Sequence, residues 1–355
     1  GIESTRYLAV DESRMLADPA RYYKGGKPDL QLFDKKLYEV NPDDKVAIAR
    51  AAAEEVLGKD ERIISVDSSY SDGEGSSYRL ISNGFEGESK STWFSVSASV
   101  SIKGEGEARP QDYWYDSALF YDKLTKTGIG AKALERVLRK LGQKKAKSGK
   151  YTMVVDPMNV GNLLSPMLSA LYGSALQQKN SFLMDKLDTK VASDLFTLRD
   201  EPHAIGANGS RYFDNEGVAT EPRTVFDKGV LKTYFIDTYN GKKMDIAPTI
   251  SAPSRLILTL GDKDLNGLVA DIKQGILVTG FNGGNSNSST GDFSYGIEGF
   301  LIEDGKLTQP VNEMNVTGNM VTLWNSLVAV GNDPQPNRSW QIPSLVFEGV
   351  DFSGL

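Results

Sequence analysis

Two carboxylates and an arginine lie close together in a short segment bounded by glycines, residues 209–217. Asp214 and Glu216 follow Ser210 and Arg211 there within a few positions. Carboxylates at this spacing can bind a cation or act as an acid and a base. They can equally hold turns through hydrogen bonds and ion pairs, which is the commoner use of such residues. The residue types leave both roles open. We predict that Ser210, Arg211, Asp214 and Glu216 face a peptide or a partner, in a cavity shared with residues 282–291.

Residues 282–291 read NGGNSNSSTG and contain only Gly, Asn, Ser and Thr. Such a segment offers backbone N–H groups and side-chain amides at low steric cost, which suits contact with a peptide or an anion. A flexible hairpin loop is the alternative. The residues that we predict to face a peptide or a partner here are Asn282, Gly283, Gly284, Asn285, Thr290 and the following Asp292.

The chain has one histidine and no cysteine. The missing sulfur excludes a disulfide framework, a thiolate metal site, an iron–sulfur cluster and a cysteine nucleophile. Catalytic zinc normally takes three protein ligands and a water, so His203 alone cannot build such a site. His203 lies between Pro202 and Ala204, and we expect a partly exposed side chain in a loop.

Residues 128–133 match the dinucleotide-binding pattern GxGxxA. That pattern binds a pyrophosphate only where it follows a strand and opens a helix. Here a polar, helix-like segment, residues 121–126, comes before it. We therefore expect no nucleotide site.

Charge is unevenly distributed along the chain, whose formal net charge is −7. Residues 1–150 carry 25 basic and 24 acidic side chains, a balance of +1, whereas residues 151–355 carry 15 and 23, a balance of −8. Binding to nucleic acid depends on Lys and Arg, so the second half is a poor surface for it. Residues 132–150 hold eight basic side chains against Glu135, which predicts a solvated helix face or a surface for an acidic partner.

Periodicity in the first half predicts helices and strands. Asn41 and Pro42 are typical of a helix start, so we predict a helix that opens with Asn41 as cap and Pro42 as its first residue, continues over residues 45–57 and ends at Gly58. Residues 94–102 alternate apolar and Ser, which predicts a strand with one buried face. Short strands are expected at 62–66 and 78–81, separated by a polar segment, and a helix is expected from Ile129 to about Leu141.

The sequence predicts a second structural unit that begins near Tyr151. We predict a buried strand at 152–155, a helix at 159–178 kinked at Pro166, and a hairpin turning at 227–229. Further strands are expected at 256–260, 275–279, 300–303 and 345–347, and further helices at 265–273 and 319–330. Runs of strands with few helices predict an α+β fold, with an N-terminal α/β domain at 1–148 and a larger strand-rich domain at 149–355.

The sequence contains no apolar run near the roughly 20 residues that span a bilayer. Residues 1–11 do not resemble a secretory signal. We therefore expect a cytoplasmic protein without a membrane partner.

Seven short motifs follow one another along the chain. They are residues 82–87 (SNGFEG), 112–115 (DYWY), 181–183 (SFL), 210–217 (SRYFDNEG), 290–294 (TGDFS), 310–313 (PVNE) and 318–319 (GN). Their order resembles the TldD/PmbA family, whose members are labelled modulators of DNA gyrase. The resemblance runs over about residues 30–343.

The resemblance implies one of two branches. TldD-type members are zinc peptidases in which a helical HExxxH motif and a later cysteine supply the ligands. PmbA-type members, also called TldE, lack that motif and pair with the zinc-bearing subunit. The corresponding residues here, 164–169, read LSPMLS and contain neither His nor a carboxylate. Members also carry a leading α/β region, so we expect the first domain to be incomplete at its start.

The leading hypothesis is therefore a PmbA/TldE-like, non-catalytic subunit of a zinc peptidase complex that cuts unfolded or small peptides. Zinc is expected in the partner subunit and not in this chain, and a homodimer is possible without that partner. One alternative is a hydrolase in its own right that uses Asp214, Glu216 and Asp292 around another metal. The other is a regulatory protein that binds DNA gyrase.

Overall fold

The fold is α+β, as predicted, in a computed structural model that describes residues 3–7 and 9–355. The strands of the described residues are β1 Ile63–Ile81, β2 Phe85–Ile102, β3 Gln111–Ala118, β4 Gly149–Val155, β5 Leu198–Asp200, β6 Arg223–Asp227, β7 Val230–Leu231, β8 Leu256–Leu258, β9 Gln274–Ser286, β10 Asp292–Glu303, β11 Lys306–Asn319, β12 Leu327–Val330, β13 Trp340–Gln341 and β14 Leu345–Ser353. The α-helices are α1 Pro42–Glu54, α2 Ile129–Leu138, α3 Gly161–Ser169, α4 Gly173–Gln177, α5 Thr238–Met244, α6 Leu265–Ala270 and α7 Met320–Asn325.

The strands form three sheets. The first has the order β1-β2-β3 and is antiparallel. The second has the order β11-β10-β9-β4-β14-β12, and an extra pairing between β11 and β14 closes it on itself. A small third sheet has the order β13-β8-β5-β6-β7. No helix among the residues with described structure is long and apolar enough to cross a membrane.

The first sheet corrects one prediction and confirms another. Strands at 62–66 and 78–81 were expected with a polar break between them, but β1 is continuous and pairs with β2 from Ile63 to Ile81. The partner strand supplies the hydrogen bonds, so an exposed polar run can stay extended. The alternating strand is confirmed, because Phe94, Val96 and Val100 are fully buried.

Two helices cover the buried face of this sheet. Helix α1 begins at Pro42 as predicted, and the side chain of Asn41 accepts a hydrogen bond from the Asp44 N–H at 2.8 Å. Helix α2 buries Ile129, Ala133 and Val137, and it ends before Leu141. These residues pack with the strand into one apolar cluster.

The GxGxxA residues serve helix packing in this fold. A Cβ on Gly130 would lie 1.9 Å from the carbonyl oxygen of Ala52, so α1 and α2 approach too closely there for any other residue. The carboxylate of Glu55 accepts hydrogen bonds from the N–H groups of Gly128 (2.6 Å), Gly130 (2.8 Å) and Ala131 (3.2 Å). A protein carboxylate thus occupies the place where a pyrophosphate would bind.

Replacing Glu55 with Ala is expected to lower the free energy of unfolding by about 1 kcal/mol, because α2 loses its N-terminal acceptor. Urea denaturation measures the change. Glu54→Ala is the matched control, since Glu54 is the exposed neighbouring carboxylate on α1. Equal stability of both variants would show that the contact with Glu55 contributes nothing.

The second half contains the closed sheet and most of the helices. The strand at 152–155 and the hairpin at 227–229 are confirmed, and the hairpin turns through Lys228 and Gly229, both at positive φ. The helix expected at 159–178 is wrong as one element: it divides into α3 and α4, because Tyr172 leaves the helix to bridge Phe235. The helix expected at 319–330 is α7 followed by β12, which pairs with β14.

A large apolar cluster fills the second half and extends to the beginning of the chain. Ala17 and Tyr22 are buried in it, together with Phe85 from β2. Residues that precede α1 therefore pack on the larger core rather than only on the first sheet. This arrangement places the N-terminal segment beside residues 209–217.

Candidate functional site

Asp214 is buried and holds a turn with both of its carboxylate oxygens. Its Oδ1 accepts from the N–H groups of Glu216 (2.9 Å) and Val218 (3.0 Å), and its Oδ2 accepts from the N–H of Ser251 (3.0 Å). The side chain is only 2% exposed. An acid or base that acts on a substrate needs a free oxygen within reach of it. The geometry of Asp214 therefore favours the structural alternative.

Glu216 also binds the protein itself. Its carboxylate accepts hydrogen bonds from the N–H (3.0 Å) and the hydroxyl (2.9 Å) of Thr238, the first residue of α5. Burial raises the pKa of Glu216, and the bonds from Thr238 oppose that rise. The side chain thus joins the turn to a helix start.

Arg211 and Ser210 are fixed by nearby carbonyl groups. Arg211 donates through Nη2 to the carbonyl of Ala252 at 2.8 Å and through Nε to the hydroxyl of Ser254 at 2.9 Å. Ser210 is buried and donates to the carbonyl of Ala204 at 2.7 Å. Together with Asp214 and Glu216, they form a rigid floor under the surface above them.

A groove of about 390 Å³ opens above that floor. Residues 210–215 form its floor, residues 27–30 form one wall, and the β1–β2 hairpin forms the other. Tyr23 and Tyr212 stack at the groove with ring centroids 5.1 Å apart. The groove is aromatic and carries both charges. Besides these two tyrosines, its lining includes the basic Lys27, Arg79, Lys90 and Arg211 and the acidic Asp29, Glu88 and Asp214.

Most of this groove could not be predicted from the sequence. Lys27, Arg79 and Lys90 are far apart in the chain and lie in no pattern, so only the fold brings them together. The one available signal was the first motif, residues 82–87, because its Phe85 contacts Phe213 of the fourth motif at 5.1 Å between ring centroids.

The Gly/Asn/Ser segment, 282–291, is a strand end and a turn rather than one loop. Residues up to Ser286 belong to β9, and Asn285 pairs with Ser294 of β10. Gly283 and Gly284 have positive φ at a bulge, and a Cβ on Gly284 would lie 2.1 Å from the carbonyl oxygen of Ser294. The side chains of Asn282 and Asn285 are exposed on this bulged strand.

The tip of that hairpin is fixed by hydrogen bonds from two other segments. Asn319 donates through Nδ2 to the carbonyl of Thr290 (2.8 Å) and to Oδ1 of Asp292 (3.0 Å). The Phe182 N–H donates to the carbonyl of Ser288 at 2.9 Å. Hydrogen bonds from Asn319 and Thr290 lower the pKa of Asp292. Three of the seven motifs, at 181–183, 290–294 and 318–319, thus meet at this tip.

The structure does not place the two groups of predicted residues around one cavity. Residues 210–214 line the groove, whereas the lining of that groove among the described residues includes no member of 282–292. The two groups are therefore two surfaces: the groove, and the hairpin formed by the end of β9 and the start of β10.

His203 and helix α3 do not fit a zinc site. The imidazole Nε2 lies 3.0 Å from the Thr220 hydroxyl, and burial lowers the pKa of this half-buried histidine. Residues 164–169 of α3 carry only apolar and hydroxyl side chains, which are poor zinc ligands. Within residues 3–7 and 9–355, no group of three or more His, Asp or Glu side chains is arranged to hold a metal ion.

Comparisons with known proteins match both halves of the chain. Residues 35–141 match the PmbA/TldA metallopeptidase central domain, and residues 148–354 match the C-terminal domain of the same family. A metalloprotease PmbA homolog from Haemophilus influenzae is 29% identical over 98% of this chain and 78% of its own length.

Two solved structures share the fold. A Bacteroides thetaiotaomicron protein labelled a modulator of DNA gyrase is 74% identical, with a TM-score of 0.99 over 100% of this chain and 81% of its own. TldE from Thermococcus kodakarensis has a TM-score of 0.81 at 22% identity, over 99% of this chain and 82% of its own. The chain therefore belongs to the TldD/PmbA family of peptidase-related proteins.

Proposed function

We propose that this chain is the non-catalytic, PmbA/TldE-like subunit of a zinc peptidase complex that acts on unfolded or small peptides. The observation that carries the proposal is that this chain has only one histidine and no cysteine, although it belongs to a metallopeptidase family. A peptidase zinc ion needs about three protein ligands. The partner that would supply them is a TldD-type subunit.

In this proposal the chain contributes surfaces that position a peptide. The groove offers stacked tyrosines and basic side chains, and the hairpin offers the free amides of Asn282 and Asn285. Such groups bind an extended peptide through its carbonyl groups and acidic side chains. Correct placement of a substrate beside a catalytic group accelerates a reaction without any chemistry from the positioning subunit.

The alternative of an independent hydrolase finds little support in the carboxylates. Asp214, Glu216 and Asp292 each accept hydrogen bonds from neighbouring protein groups. Asp214 lies at the groove, whose described lining does not include Asp292. The Bacteroides relative is labelled a modulator of DNA gyrase, but that label identifies no residue that would bind gyrase.

Co-expression with a TldD-type zinc subunit tests the proposal. We expect the two chains to copurify, and we expect peptidase activity on an unfolded peptide from the mixed complex but not from this chain alone. Activity of this chain alone would contradict the proposal, as would a zinc subunit whose activity is unchanged by adding it.

A further inference from the structure

A cavity of about 520 Å³ lies between helix α2 and the closed sheet, apart from the groove and the hairpin. Strands β4 and β9 pair in parallel over residues 152–155 and 275–278, and the next residue of each strand, Asp156 or Thr279, lines this cavity.

Arg136 of α2 is held in place at this cavity by Asp112 and Trp114. Its Nε donates to Asp112 at 3.2 Å, its head stands over the ring of Trp114 at 5.5 Å, and its side chain is only 14% exposed. Across the described part of the chain, its two terminal nitrogens, Nη1 and Nη2, donate no hydrogen bond. A guanidinium fixed in this way binds a carboxylate through two parallel bonds.

Asp156 lines the same cavity, and Asn159 holds one of its two oxygens. The residue is 4% exposed, and its Oδ1 accepts from the N–H (3.0 Å) and the Nδ2 (2.7 Å) of Asn159. No described side chain donates to its Oδ2. Burial raises the pKa of this carboxyl group, and hydrogen bonds from Asn159 and from the Met158 N–H oppose that rise. Arg136 and Asp156 form no ion pair within 4.0 Å of each other over the described residues, so a gap separates them.

The rest of the lining divides into a basic rim and an apolar wall. Lys132, Arg139 and Lys306 add positive charge, whereas both oxygens of Asp333 are already bonded by Ser344. The apolar wall is formed by Trp114, Met158, Leu265, Val269 and Leu307.

The geometry points to a binding site for the free carboxyl terminus of a peptide. The terminal carboxylate pairs with Arg136, the N–H of the last peptide bond donates to Asp156, and the last side chain packs on the apolar wall. In a peptide terminus the carboxylate lies next to the N–H of the last peptide bond. The two groups therefore match Arg136, the cation, and Asp156, the acceptor, on the two sides of the gap. This inference extends the proposed function, because peptides are the expected ligands, but it assigns them a separate site.

Calorimetry on this chain alone, without a partner, measures the binding. The probe is N-acetyl-Gly-Gly-Leu with a free carboxylate, and its C-terminal amide is the control. We expect the amide to bind at least about tenfold more weakly, because it loses a charge-assisted pair. Equal binding of the two, or no binding of either, would overturn the inference whatever the peptidase assay of the complex gives.

Free leucine and inorganic phosphate are control ligands that test whether a negative charge alone is enough for binding. Leucine has the carboxylate but no peptide N–H, and phosphate has charge only. Either one binding as tightly as the acetylated peptide would overturn the assignment to a peptide terminus.

Two variants test whether the peptide binds in this cavity. Asp156→Asn keeps the shape and removes the charge, and Arg136→Lys keeps the charge and removes the paired donors. Each is expected to weaken binding about tenfold. Asp194→Asn, at an exposed position outside the cavity, is the matched control and is expected to bind normally. Unchanged affinity in both cavity variants, with folding confirmed by circular dichroism, would place the peptide elsewhere.

Discussion

Replacing Asp214 with Ala is expected to lower the free energy of unfolding by about 3 kcal/mol or more. The substitution leaves the N–H groups of Glu216, Val218 and Ser251 without their acceptor in a region where Asp214 is 2% exposed. Each unsatisfied buried donor costs roughly 1–3 kcal/mol. Urea denaturation of the purified chain measures the loss as a shift of the midpoint.

Two controls separate this structural role from a catalytic one. Asp214→Asn keeps an acceptor for Glu216 and Val218, so its loss should be clearly smaller. Asp227→Ala removes an exposed carboxylate from a hairpin and should change stability by less than about 0.5 kcal/mol. A stable Asp214→Ala protein whose mixed complex has lost peptidase activity would instead assign Asp214 to the chemistry.

Removing the two exposed amides of the hairpin is expected to lower the kcat/KM of the mixed complex about thirtyfold. The double variant Asn282→Ala and Asn285→Ala leaves the backbone pairing of β9 and β10 in place, since the ladder uses main-chain groups. Two neutral hydrogen bonds to a peptide, at about 1 kcal/mol each, account for that factor. The measurement is peptidase activity with an unfolded substrate.

The control for this variant is Gln274→Ala, which removes an exposed amide from the opposite end of the same strand, β9. Its complex should retain full activity. Copurification must show that the double variant still assembles. Full activity of an assembled double-variant complex would leave the hairpin as a structural turn and remove it from the proposed peptide surface.

Local patterns in the sequence predicted elements that depend on neighbours in the chain. The cap at Asn41, the alternation at 94–102 and the turn at 227–229 each involve short-range geometry, and all three are confirmed. The polar stretch inside β1 could not be predicted in this way, because its strand conformation comes from pairing with β2. The break between α3 and α4 similarly depends on the distant Phe235.

The candidate surfaces were predictable only in part, for the same reason. Residues 210–216 and 282–292 were recognisable from composition. Composition could not show that Asp214 accepts hydrogen bonds from backbone N–H groups, or that Glu216 accepts them from Thr238. Basic residues at 132–150 look alike in sequence. The fold separates them: Arg136 and Arg139 line the cavity beside α2, whereas Lys140 is buried against Asp112 and Glu298.

The zinc content of the two chains tests the central claim most directly. The complex should be purified with a TldD-type subunit, and this chain should also be purified alone, followed by dialysis and elemental analysis of both samples. The proposal predicts about one zinc per complex and none in this chain alone, because one histidine cannot complete a ligand set of about three. About one zinc per chain in this protein alone, retained after dialysis, would contradict it.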